Sequence, residues 1–143
     1  MNIYHELDII DEFEEKVGNR ESVKCACDFM VSYLAEMKRP LPEVAAQGLR
    51  VAIKYKEGSA SPDKLEIARE QIADFLKERG AQASYSTLEY RMAHAVLGIL
   101  ISYQDLRWGG GASELVSNFL DMTETFESNH DLLKTLLKEY FSL

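Results

Sequence analysis

Apolar residues recur along this chain at spacings of three and four, the period of a helix with one buried face. Ile3, Leu7, Ile10, Phe13 and Val17 open the pattern, and Gly18-Asn19 supplies a helix stop where it ends. The spacing predicts a second helix from about Glu21 to Lys38, with Val23, Ala26, Cys27, Met30, Tyr33, Leu34 and Met37 inward and Arg39-Pro40-Leu41-Pro42 as its breaker. A third begins near Pro42, carries Val44, Ala45, Leu49, Ala52 and Ile53, and ends at Gly58. Ser61-Pro62-Asp63 starts a fourth: Ser61 can cap, Pro62 suits the first helical position and Asp63 complements the dipole. Leu65, Ala68, Ile72, Phe75 and Leu76 form its buried stripe, and Gly80 closes it.

Ser86-Thr87-Leu88-Glu89 has the capping-box pattern. The helix it opens, to about Gln104, is apolar nearly all round from Met92 to Tyr103, which marks it as the expected centre of the core. A sixth helix is predicted from about Ala112 to Glu127, presenting Leu115, Val116, Phe119, Leu120, Met122 and Phe126. A seventh, from about His130 to Phe141, presents Leu132, Leu133, Leu136, Leu137 and Tyr140. No segment sustains the two-residue alternation of a strand, and no linker separates two parts. The expectation is a single all-α domain over 1–143, a bundle of about seven helices with mostly antiparallel neighbours.

Composition narrows the class. With 46% hydrophobic and 28% charged residues, 8 Gly and 3 Pro, the chain belongs with globular proteins rather than disordered or collagen-like ones. The longest apolar run, Ala95 to Ile101, falls far short of the ~20 residues that cross a bilayer. The start, Met1 to Asp8, lacks the basic and apolar regions of a secretory signal, so a cytoplasmic location is expected, and two cysteines suit it.

Charge changes the picture more. The net charge is −8, and it is unevenly placed. Residues 1–19 hold six acids against Lys16, and residues 112–131 hold five acids against no base, so each segment carries −5 while the remainder is slightly basic. At 100° per residue, Asp8, Asp11, Glu12 and Glu15 fall within an arc of about 100° opposite the apolar stripe, whereas Glu6 and Glu14 fall at the stripe's edges. Asp121, Glu124 and Glu127 mark the second acidic segment. Carboxylates on an amphipathic helix ordinarily form a solvated face, but scattered charge would serve solubility equally well. Such a surface repels nucleic-acid phosphates and anionic membranes and attracts a basic protein.

Candidate chemistry is sparse. Cys25 and Cys27 lie about 200° apart on a helix, so they can neither share a metal nor bridge, and no second pair exists to complete a zinc site. Glu127-Ser128-Asn129-His130 matches the Glu-x-x-His element of di-iron bundles, but only one copy is present and it falls at a helix boundary. Gly109-Gly110-Gly111 lacks the preceding strand and following Lys-Ser or Lys-Thr of a phosphate loop, and Glu114 sits where a phosphate would bind. Arg107 and Trp108 beside it are residue types that anchor interfaces. His94, on the most apolar helix, has no accompanying nucleophile at a recognisable spacing. No catalytic set, cofactor or metal is therefore expected.

The segment from Leu49 to Arg69, with Leu49, Ala52, Tyr55, Gly58, Ala60, Leu65, Ala68 and Arg69 as its defining positions, resembles a helix-turn-helix hairpin of small helical immunity proteins from bacterial polymorphic-toxin and contact-dependent inhibition systems. Gln71, Asp74, Lys77 and Arg79 depart from the Ala-rich tail usual in such hairpins. The resemblance implies a cytoplasmic inhibitor of one toxin domain, often a nuclease with a basic surface, and carries over no contact residues. Together with the charge, it gives the leading expectation: a non-enzymatic antitoxin whose carboxylates, Asp8, Asp11, Glu12 and Glu15 or Asp121, Glu124 and Glu127, helped by Trp108, occlude a basic active site. Two other classes stay open. One is a small-molecule-binding or catalytic protein built on His94 and Tyr103, with a concave pocket; the other is an oligomerising helical adaptor.

Overall fold

A computed structural model describes residues 7–37, 40–78, 88–102, 111–123 and 130–142. Among them the chain forms seven helices and no strand: α1 (Asp8–Val17), α2 (Asn19–Glu36), α3 (Glu43–Lys56), α4 (Pro62–Glu78), α5 (Leu88–Ile99), α6 (Ala112–Thr123) and α7 (His130–Tyr140). The expected all-α bundle is what the chain adopts, around one continuous hydrophobic core.

The α1–α2 corner turns on a single residue. Gly18 has φ +93°, donates its N–H to the Glu14 carbonyl at 2.8 Å and accepts from the Ser22 N–H at 3.1 Å, so it closes one helix and opens the next. A side chain would strain that backbone. The α3–α4 turn is tied by Glu57, Gly58 and Ser59 N–H groups donating to the carbonyls of Ile53, Tyr55 and Lys54. Pro62 takes the first position of α4, as its fixed φ favours.

Helix α2, not α5, occupies the middle. It packs against α1, α3, α5, α6 and α7, and both α6 and α7 pack on it. Every residue predicted to face inward on α2 is buried, and Ser22, Phe29 and Val31 are buried as well, so the covered face takes in more than half of the helix, while Glu21, Ala35 and Glu36 stay exposed and Lys24, Asp28 and Ser32 half-buried. Helix α5 packs on α2, α3, α4 and α6 but leaves Gly98 exposed and His94 and Leu97 half-buried. It also stops earlier than its apolar run implies, at Ile99 rather than about Gln104. The Leu100 N–H bonds back to Leu97 O at 3.4 Å, and the Leu100 carbonyl accepts from Arg69 Nη1 at 3.4 Å in place of a further helical N–H. The capping box at Ser86 and Thr87, Tyr103, and the expected continuation of α6 to Glu127 lie outside the described residues.

A run of aromatic contacts crosses the core. Phe13 of α1 meets Phe141, just past α7, edge-to-face at 5.6 Å; Phe141 meets Phe29 of α2 at 6.1 Å; Tyr33 of α2 meets Phe119 of α6 edge-to-face at 5.9 Å. The C-terminal helix is held on its outer side by polar groups: Tyr140 OH lies 2.6 Å from Ser32 Oγ of α2, and Lys56 of α3 donates to both hydroxyls.

Two helical glycines have opposite surroundings. A Cβ on Gly48 of α3 would stand 2.8 Å from Ile72 Cδ1 of α4 and 3.1 Å from Val96 Cγ1 of α5, so the close approach of three helices depends on its absence. A Cβ on Gly98 would meet nothing within 4 Å. Gly48→Val should therefore destabilise by about 1–3 kcal/mol through overpacking, while Gly98→Ala should stabilise by about 0.5–1 kcal/mol through helix propensity. Urea denaturation of the two variants checks both signs.

Candidate functional site

The acidic stripe forms as its spacing requires. Leu7, Ile10 and Phe13 are buried against the core, and Asp8, Asp11, Glu12 and Glu15 are exposed along the other side of α1. Four carboxylates thus project from one rigid helical face. Asp121 of the second acidic segment is exposed on α6, as is Glu114. Helices α1 and α6 pack against each other, so segments a hundred residues apart in the chain lie on neighbouring helices. Trp108, Glu124 and Glu127 lie outside the described residues, so the aromatic part of the expected surface and most of its second acidic run have no structural account.

Glu14 does something else. It is half-buried at the edge of the stripe, and its Oε1 accepts from the Ala112 N–H at 3.2 Å and from Asn19 Nδ2 at 3.0 Å. Its carboxylate thus caps the N-terminus of α6, where unpaired N–H groups and the helix dipole favour an anion. Gly111 makes room: its φ is +85°, and a Cβ there would lie 3.2 Å from Glu14 Oε2. The position a phosphate would take before α6 is occupied by the protein's own carboxylate. Sequence spacing found Glu14's place beside the apolar edge but gave no sign of its partner 98 residues away.

The second concave feature lies beside His94. A cavity of about 510 Å³ opens between α2, α4, α5 and α6. Each outer helix turns one face to it: Pro62, Leu65, Glu66 and Arg69 from α4; His94, Leu97 and Gly98 from α5, with Ile101 just past its end; Leu115, Asn118, Phe119 and Met122 from α6. Val23 and Met30 of α2 form its floor. The walls are apolar and the polar groups few. His94 stacks obliquely on Tyr90, ring centroids 5.6 Å apart, and makes no hydrogen bond among the described residues.

Both cysteines are free thiols on α2, with Cys27 in the core and Cys25 at its edge. Burial, with Asp28 and Cys25 adding to it, pushes the Cys27 thiol up to about 12, and burial followed by Glu21 and Asp28 raises Cys25. Among the described residues no group of three His, Cys, Asp or Glu side chains could hold a metal ion. Glu127 and the His130 side chain lie outside that description. Among the described residues no helix is long and apolar enough to cross a membrane.

No protein-family model, curated protein or solved structure matches the chain.

Two outcomes follow from this geometry. Glu14→Ala should cost about 1 kcal/mol, the range of a lost N-cap, read as a lower urea midpoint at unchanged slope. Cys27 should resist a disulfide-exchange reagent at pH 8 until the protein unfolds, with Cys25 reacting more slowly than a free thiol, because the thiolate is the reacting form; mass spectrometry of the labelled chain separates the two sites.

Proposed function

We propose that the protein is a non-enzymatic, cofactor-independent inhibitor that binds a basic partner protein, an immunity-type antitoxin occluding the active site of a cognate toxin domain, with a nuclease as the toxin class its charge fits. The reading rests on one observation: Asp8, Asp11, Glu12 and Glu15 stand exposed together on α1 while the opposite side of that helix is buried. A surface built to grip substrate phosphates is basic, and a preformed row of carboxylates complements it. Occlusion then needs no chemistry from the inhibitor.

The spacing of these four residues supports the reading. Asp8 and Glu12, and Asp11 and Glu15, are four apart, and Asp8 and Asp11, and Glu12 and Glu15, are three apart. Like charges so placed repel, each pair costing about 0.2–0.5 kcal/mol in an isolated helix. A cationic partner removes that repulsion, so binding and relief of strain within α1 have the same sign. The face is also held in place before any encounter, by α2, by α6 and by the Glu14 cap, which limits the ordering cost of association. The cap joins the N-terminus of α6 to α1, and Glu114 and Asp121 are exposed on that neighbouring helix.

The test is binding to the C-terminal domain of the large protein encoded beside this one, followed by assay of that domain's activity. A complex that silences the domain and associates more slowly at high salt is expected. Asp11→Lys with Glu15→Lys should slow association about tenfold or more at low salt and flatten its salt dependence, since rates set by electrostatic steering fall with ionic strength. An association rate that neither substitution nor salt alters would overturn the reading, as would a bound domain that keeps its activity.

A further inference from the structure

We propose that the cavity between α2, α4, α5 and α6 is a binding site for a small zwitterionic amphiphile, an apolar body bearing a carboxylate and an ammonium at one end. Its volume of about 510 Å³ lies within the ~300–1,000 Å³ usual for small organic ligands. The wall is apolar, with Leu65, Leu97 and Phe119 drawn from three different helices. An apolar body is what such a wall accepts.

The charged groups at the cavity choose the head. Glu66 and Arg69 lie three residues apart on the same face of α4, yet no hydrogen bond or ion pair joins them. Arg69 spends one N–H on the Leu100 carbonyl, and a guanidinium has five. Among the described residues the Glu66 carboxylate has no hydrogen-bond or ion-pair partner. A purely anionic ligand would be drawn by Arg69 and repelled by Glu66, and a purely cationic one the reverse. A head carrying both signs satisfies each. Among the described residues His94 and Asn118, from α5 and α6, likewise make no hydrogen bond, and they offer further polar groups beside the pair.

Gly98 supports the assignment. It lies on the cavity-facing stripe of α5, where a Cβ would enter open space, so the glycine widens the site at the expense of helix propensity. None of the α1 carboxylates lines the cavity, so the site stands or falls independently of the partner-binding reading.

The experiment is calorimetric titration of the full chain with three probes of one chain length: 2-aminooctanoate, octanoate and octylamine. The zwitterion should bind about tenfold tighter than either singly charged probe, the ratio expected from one added charge-assisted hydrogen bond. Glu66→Gln and Arg69→Gln, both at exposed positions, should each weaken 2-aminooctanoate about tenfold with the far-ultraviolet circular dichroism unchanged; Tm should be unchanged for Glu66→Gln and slightly lower for Arg69→Gln, which gives up the bond to the Leu100 carbonyl. Gly98→Leu should weaken all three probes together by filling the cavity. The proposal is overturned if octanoate or octylamine equals the zwitterion, if neither charge substitution changes its affinity, or if none of the three probes binds.

Discussion

Everything else in this fold is arranged around the burial of α2. A buried face that takes in more than half of a helix is wider than one neighbour can cover, and α1, α3, α5, α6 and α7 cover it together. Phe29 and Tyr33 connect those partners, since Phe29 reaches Phe141 at the end of α7 and Tyr33 reaches Phe119 of α6. Because interiors pack at near-crystalline density, such a hub fixes the relative positions of elements that do not pack on one another. The acidic face and the cavity both inherit their rigidity from it: α1 rests on one side of α2, and Val23 and Met30 of the same helix form the cavity floor.

Much of this was legible in the sequence, and the reason is periodicity. Among the described residues the centres of the inward stripes of α1, α4, α6 and α7 are buried as the spacing predicts, because one face is wet and one is dry, while Phe75, Leu76, Met122, Leu132 and Tyr140 at their margins are half-buried. The two places where the reading failed are helices where that contrast breaks down. On α2, Phe29 and Val31 lie just outside the predicted stripe, one at each edge, so the buried face is wider than the spacing alone announces. On α5 the error is the reverse: a nearly continuous apolar run looks like a core centre, yet part of it lines a cavity, with Gly98 exposed and Leu97 half-buried. Apolar composition does not distinguish a surface packed against protein from one facing an open space.

The candidate sites were legible to different degrees for a similar reason. Asp8, Asp11, Glu12 and Glu15 are neighbours on one helix, so their common face follows from 100° per residue alone. The pairing of Glu14 with the N-terminus of α6, and the meeting of Glu66 and Arg69 with His94 and Asn118, are tertiary facts with no local signature. Glu14 also shows that a short acidic segment can divide its labour. One carboxylate, at the apolar edge, joins two helices, and four others face outward, exposed to solvent.

A sequence selected for stability alone would differ at a few identifiable positions. It would not place four like charges at spacings of three and four on one helix, nor a glycine inside α5 where a methyl group meets nothing. Such local departures from the stable choice concentrate where function requires them. Here the first departure lies on the acidic face of α1 and the second on the wall of the cavity beside His94. Gly48 makes the contrast clear: it too is a glycine within a helix, but Ile72 and Val96 fill the space above it, and packing alone accounts for its presence. Ser22 is a third departure, a fully buried hydroxyl without a hydrogen-bond partner, and neither site accounts for it. What separates Gly98 from Gly48 is that no contact accounts for it, and the repulsion along α1 is partly offset by the helix dipole at Asp8 and Asp11 and by Lys16, four residues after Glu12.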